Sequence, residues 1–327
     1  MIILKSMLII GIIIVCSIIT LTIGLSMDKI LSNQNNLEIE KENLELENVS
    51  KQEESLSKTT EELTDSNVSV IFSKIFDAFS ASHSMKMNFT NFDNFDVYFT
   101  LKDFNLCKIN CITVDGAKLV LNESGQKFID ILKPDDNHVV IYPIFTSRAY
   151  DEPGFYTYFR GDCDEVCITD LNFNYTGFTY HSSGHTAQTL HAVGYNIITD
   201  IDVDKNPEIL KNYDKIILLH NEYVTKKMFD AVVAHPNVVF LFPNALYAEI
   251  DVNYNTNTMS LIRGHDYPPG IQNGFNYEIE EQFHEYEFDD KCLEWEFMKI
   301  KNGYHLNCYP DSVIVENFDI LLKLKEL

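Results

Sequence analysis

Arginine is nearly absent. Only Arg148, Arg160 and Arg263 occur in 327 residues, and 25 basic side chains face 49 acidic ones for a net charge of −24. Nucleic acid and anionic lipid are bound through clustered Lys and Arg that displace counterions, so no nucleic-acid partner is expected. No C-x2-C knuckle occurs, which removes the usual sign of a structural zinc site. Cysteine is missing between Cys167 and Cys292, and charge is missing between Met7 and Met27. Both gaps carry information.

The uncharged segment reads MLIIGIIIVCSIITLTIGLSM. As a helix rising about 1.5 Å per residue it spans roughly 30 Å, the thickness of a hydrocarbon core. A cleaved signal peptide would have a shorter apolar region and a better cleavage site than Gly24-Leu25-Ser26-Met27. The apolar run also continues past Cys16, unlike a lipoprotein site. The expectation is an uncleaved single-pass anchor in the cell membrane. Lys5 lies on the short side and acids on the long side, so the bulk of the chain is expected to be extracytoplasmic.

Six cysteines then lie outside: Cys107, Cys111, Cys163, Cys167, Cys292 and Cys308. An even count in an exported domain reads as disulfides. Each C-x3-C pair can close a small loop, and Cys292 with Cys308 can staple a hairpin, but other pairings stay open. Five N-x-S/T triplets, at Asn48, Asn67, Asn88, Asn122 and Asn174, fit a glycosylated exterior.

Composition divides the chain into an anchor (1–27), an acidic stalk (28–67), an accessory region (68–137) and a main domain (138–327). The stalk has eleven acids, four lysines and no aromatic residue. Its heptad-spaced Ile30, Leu37 and Leu44 allow oligomerisation through a coiled coil, although the companion core positions are polar. A solvated, partly helical stalk is the plainer expectation.

From His138 the rhythm alternates. HVVIYPIF (138–145), Asn196–Ile201, KIILL (215–219) and VVFLF (238–242) read as buried strands. Thr186–Val193, Pro207–Lys211 and Thr225–Ala234 read as helices between them. Hairpins over 257–263 and 295–309 and a closing helix from Asp311 follow. The predicted fold class is α/β, a parallel flavodoxin- or amidotransferase-like sheet with helices on both faces, flanked by β-rich segments. Ligands of such sheets gather beyond the carboxyl ends of the strands. Those ends carry Thr146–Tyr150, Asp200 and Asp202, His220–Tyr223, and Pro243–Tyr247.

His220-Asn221-Glu222-Tyr223 is the densest constellation. An imidazole, a carboxylate and a phenol at one strand mouth suit hard-metal binding or proton transfer; alternatively the loop merely caps the helix begun at Thr225. Asp200-x-Asp202-x-Asp204 lacks the glycine and terminal glutamate of a calcium loop. His181 and His185 read as a turn before the next helix rather than as metal ligands.

Thr199-Asp200 with Asp202, then His220-x-Glu222-Tyr223, then Asn244 with Tyr247 follow one another across residues 138–265. In this order they resemble the C-terminal domain of the N,N-dimethylformamidase large-subunit family, within the class I glutamine-amidotransferase-like fold. The resemblance implies a mononuclear iron held by tyrosines and a glutamate, hydrolysing a small amide. Glu222 then matches the glutamate ligand and His220 its neighbouring histidine, both candidate catalytic residues. The tyrosine ligand is Tyr150, Tyr156 or Tyr158. Asp200, Asp202, Tyr223, Asn244 and Tyr247 are further site candidates. No counterpart of the family's downstream catalytic glutamate is present. A cysteine-dependent amidotransferase is excluded, because no cysteine lies between Cys167 and Cys292 to occupy a nucleophile elbow.

The expected function is a non-catalytic binding or cell-surface interaction module, taking a small amide or a surface ligand. The alternatives are an iron-dependent amidohydrolase and a structural component of the cell envelope.

Overall fold

The structure is a computed structural model that describes residues 70–88, 92–102, 116–134, 137–174, 177–277 and 289–327. These lie in one compact unit, residues 65–327. The predicted anchor, the stalk, Cys107, Cys111, Asn48 and Asn67 lie outside the described residues. Among the described residues no helix is long and apolar enough to cross a membrane.

The chain runs α1 (Val70–Ser82), β1 (Met85–Met87), β2 (Phe95–Phe99), β3 (Lys118–Leu121), α2 (Glu123–Gln126), α3 (Ile129–Leu132), β4 (His138–Tyr142), α4 (Ile144–Ala149) and α5 (Phe155–Phe159). It continues through β5 (Leu171–Asn172), α6 (Gly184–Ala192), β6 (Asn196–Thr199), α7 (Asp200–Lys205), β7 (Lys215–Leu218), β8 (Tyr223–Thr225) and α8 (Lys226–Ala234). It closes with β9 (Val238–Phe240), β10 (Ala248–Asn253), β11 (Thr258–Arg263), β12 (Phe297–Ile300), β13 (Gly303–Leu306) and α9 (Phe318–Glu326).

A single parallel flavodoxin-like sheet is not what forms. The described residues build three sheets: β1-β2-β3, β5-β11-β10-β8 and β12-β13-β9-β7-β4-β6. The first is antiparallel and the other two are mixed. Within the largest, β6, β4, β7, β9 and β13 are parallel neighbours, while β12 runs against β13. The correction lies in where the expected hairpins pair: β12 and β13 extend the large sheet, and β10 and β11 build a separate mixed sheet. Asn302 anchors one of them, its carbonyl accepting from Val238 N at 2.9 Å and its amide donating to the His235 carbonyl at 3.1 Å. Gly303 then lies so close to β9 that an added Cβ would fall 1.8 Å from the Val238 carbonyl oxygen.

The apolar runs form the centre of the large sheet because burial on both faces rewards uninterrupted Val, Ile and Leu. Val139, Ile141, Ile216, Leu218, Val238 and Phe240 pack on one side with Val203, Met228 and Val232 of α7 and α8. Full burial of each such side chain is worth about 1.5–3 kcal/mol. On Tyr142 an aromatic cluster forms, with ring centroids 5.6 Å from Phe72 of α1 and 5.0 Å from Phe178. The accessory region is thus packed onto the main domain. Buried Gln188 of α6 ties it further, accepting from Leu119 N and donating to the Ala117 carbonyl, both at 2.9 Å.

Two disulfides are present, Cys163–Cys167 and Cys292–Cys308. The first closes the turn after α5, and the second precedes Tyr309, which lies over the carboxyl end of the large sheet.

Candidate active site

Beyond β7 the chain leaves the sheet as Leu219–Glu222, and its backbone is held at every step. His220 N donates to Ser183 Oγ at 3.0 Å, and Glu222 N and Tyr223 N both donate to Thr146 Oγ1, at 3.0 and 3.1 Å. Asn221 Oδ1 accepts from Leu219 N. The Asn221 carbonyl accepts from Leu246 N, and the Glu222 carbonyl from Tyr247 N and Ala248 N. Thr146 belongs to α4, which starts directly after Pro143. Helix α4, the turn before α6 and the segment entering β10 thereby fix one loop.

Glu222 is 1% exposed. Tyr150, at the end of α4, donates from Oη to its Oε2 at 2.7 Å. His220 Nε2 stands 3.1 Å from the same oxygen, and His265 Nε2 is paired with Oε1. The other His220 nitrogen, Nδ1, lies 3.0 Å from the His181 carbonyl, which can only accept. With that N–H committed, Nε2 is the ring nitrogen that faces the Glu222 oxygen, at ion-pair distance. Burial pushes the Glu222 carboxyl up, but the two imidazoles, His265 foremost, outweigh it and hold the group below the ordinary carboxylate range. The Tyr150 phenol goes the other way: burial first, then the Glu222 charge, push it well above its ordinary value.

Aromatic rings enclose the carboxylate. Tyr150 stacks on Tyr156 and on His181, each at 4.6 Å between centroids. Tyr309 and Phe242 pack against His220. Tyr223, Tyr247 and Phe159 surround His265 at 5.2, 4.8 and 5.0 Å. Phe159 is 42% exposed, so the cluster reaches the surface at α5.

The structure brings together His220, Glu222, Tyr150, Tyr223 and Tyr247 from the sequence-derived set. Tyr156 joins them through its stack on Tyr150, whereas Tyr158 packs edge-on against Tyr267. Asp200 and Asp202 serve the scaffold. Asp202 closes a capping box with Thr199 at the start of α7, and Asp200 accepts from Phe145 N at 2.8 Å, pinning the turn into α4. Asp204 accepts from Thr225 Oγ1 and Tyr254 Oη. Asn244 is buried in the turn after β9, its Oδ1 without a hydrogen-bond partner among the described residues.

His265 was missed by sequence reasoning. It sits at φ 51°, followed by Asp266 at φ 63° and preceded by Gly264, where an added Cβ would meet Ala248 at 2.9 Å. Left-handed backbone at His and Asp is uncommon and gathers at functional sites. The available signal was turn chemistry: Gly264 and Pro268-Pro269-Gly270 bracket a lone histidine.

No protein-family model and no curated protein matches the chain.

Among the described residues, no group of three or more His, Cys, Asp or Glu side chains is arranged to hold a metal ion. An iron site of phenol and carboxylate is a different donor set. Glu222 and Tyr150 fit it chemically, as two hard oxygens 2.7 Å apart around one exchangeable proton.

Proposed function

We propose that this chain is a membrane-anchored, extracytoplasmic protein whose Glu222 centre hydrolyses small amides, as its dimethylformamidase-like motifs suggest. One observation carries the reading: two imidazoles and a phenol converge on a single carboxylate that is 1% exposed. Buried charge of this kind is a poor way to stabilise a fold, since apolar residues of equal volume generally do as well or better. It is an economical way to keep an acid–base group in a defined state. The two disulfides suit an oxidising exterior.

Glu222 and Tyr150 would hold the iron, which when bound polarises a carbonyl and acidifies water. The protein's own groups do the rest. Glu222 Oε2 accepts the Tyr150 hydrogen bond, and His220 Nε2 lies 3.1 Å from the same oxygen. The His181 carbonyl fixes the orientation of the His220 ring. His265 neutralises the opposite oxygen.

The test is metal analysis and visible absorption of the full-length protein in detergent, with amine release from formamide, acetamide and N,N-dimethylformamide. The expected result is stoichiometric iron with a tyrosinate-to-iron band, lost in Glu222→Ala together with amine release. A colourless protein that takes up no iron and releases no amine overturns the reading.

A second reading, a non-catalytic binding module, is favoured by the engagement of both Glu222 oxygens by protein groups. It predicts amide or surface-ligand binding without turnover.

A further inference from the structure

The Tyr223 side chain is 0% exposed, and its hydroxyl has no hydrogen-bond partner among the described residues. A buried hydroxyl without a partner is destabilising, so phenylalanine would serve the fold better at this position. The oxygen is nevertheless held in place. The backbone N–H donates to Thr146 Oγ1 at 3.1 Å, and the ring stacks on His265 at 5.2 Å with 22° between planes. Phe155 packs 5.5 Å away, and Tyr150 meets the ring edge-on at 6.2 Å. His265 and Tyr150 both touch Glu222, so this phenol belongs to the same cluster.

We propose that Tyr223 Oη donates a hydrogen bond to the carbonyl oxygen of a small neutral amide bound beside Glu222. This rests on the amide-hydrolase reading and adds the group that recognises the substrate's acceptor. A neutral acceptor is specified because an anionic ligand oxygen would be placed beside the ionised Glu222 in a desolvated site, where repulsion is poorly screened. A phenol offers the O–H donor that an amide carbonyl, itself only an acceptor, needs as a partner. The partly exposed Tyr156 and Phe159, both in contact with His265, mark the side from which a small molecule enters.

Tyr223→Phe removes only the oxygen. The experiment compares full-length wild type and Tyr223→Phe by saturation-transfer NMR titration with acetamide and N,N-dimethylformamide, with acetate as the anionic control. Melting temperatures are measured without ligand. Wild type is expected to bind both amides and not acetate. Tyr223→Phe is expected to melt no lower and to bind amides about tenfold more weakly, the loss of one neutral hydrogen bond in a dry site. Unchanged amide affinity in the variant overturns the role of Tyr223 and leaves the amide reading standing. Failure of wild type to bind either amide overturns both. A lower melting temperature in the variant means that the hydroxyl holds the fold, and acetate binding as tight as acetamide means that the site is not one for neutral acceptors; each overturns the inference.

Discussion

Replacing Glu222 with alanine strips the centre of its anion while leaving the loop backbone bonded through Ser183, Thr146 and the 246–248 segment. The loss follows from the contacts. Tyr150, His220 and His265 all meet this carboxylate, which is 1% exposed. Removing one member of a buried charged network strands the others and costs about 3–5 kcal/mol. At about 2–4 °C per kcal/mol for a unit of this size, Glu222→Ala should melt roughly 10 °C lower than wild type. Glu222→Gln is milder. Tyr150 and His220 meet the same carboxylate oxygen, so the amide can accept from Tyr150 or donate to His220 but not both, and about 1–2 kcal/mol is expected. The pH dependence has a definite sign. The folded carboxyl lies below its ordinary value of 4.5, so its stabilisation is fully present above that value and is lost as pH falls beneath it. Urea unfolding followed through Trp295 fluorescence, at neutral pH and between about pH 5 and pH 3, measures both effects. If Glu222→Ala unfolds within about 0.5 kcal/mol of wild type, or if Glu222→Gln does not flatten the acid limb, the carboxylate is not a buried ion held by imidazoles.

Three further outcomes are expected. Gln188→Ala orphans Leu119 N and the Ala117 carbonyl, so it should cost about 2–4 kcal/mol, and hydrogen exchange at the Leu119 amide should accelerate relative to the β4 amides. Asp311 accepts from Thr186 N and Oγ1 through Oδ1, and burial pushes its carboxyl up. Asp311→Asn should therefore be nearly neutral in urea unfolding at pH 7, whereas Asp311→Ala loses about 1–2 kcal/mol as a helix cap does. Converting Cys292 and Cys308, 16 residues apart, to serine should cost about 3 kcal/mol, against about 2 kcal/mol for Cys163 and Cys167, four apart. Urea midpoints in the reverse order would show that strain or residual structure, rather than loop closure, sets those values.

How much of the fold could be read depends on whether the signal was local. HVVIY, KIIL and VVF announce themselves as buried strands because each run fills both faces of a covered sheet, and they do pair side by side in parallel. Their ends were misjudged. The apolar run predicts a strand to Phe145, but the strand stops at Tyr142 and helix α4 follows Pro143. The 196–201 strand stops at Thr199, because Thr199-x-x-Asp202 is a capping box, and capping chemistry overrides an apolar run. The architecture was misread for another reason. Rhythm along the chain tells which segments are strands but not which partners they find. The hairpin at 297–306 enters the large sheet beside β9 through the close approach at Gly303, a contact with no sequence period.

The same division runs through the site. His220-x-Glu222-Tyr223 was legible because three reactive side chains fall within four residues at a strand end. Tyr150 was legible only as one of three, because the sequence does not say which ring turns to the carboxylate; Tyr156 turns toward Tyr150 and Tyr158 toward Tyr267. His265 was not legible at all, because its place comes from backbone. Gly264 at φ 120° lets the 264–274 loop press against Ala248, whose own N–H is bonded to the Glu222 carbonyl. The main-chain bond that positions the carboxylate therefore also fixes the approach of the imidazole that neutralises it. A side chain at Gly264 should move His265 away from Oε1 and leave that oxygen buried without a partner. Gly264→Ala should then mimic the stability loss of His265→Ala although no reactive group has been removed; full stability in Gly264→Ala would show that the loop places His265 by some other means.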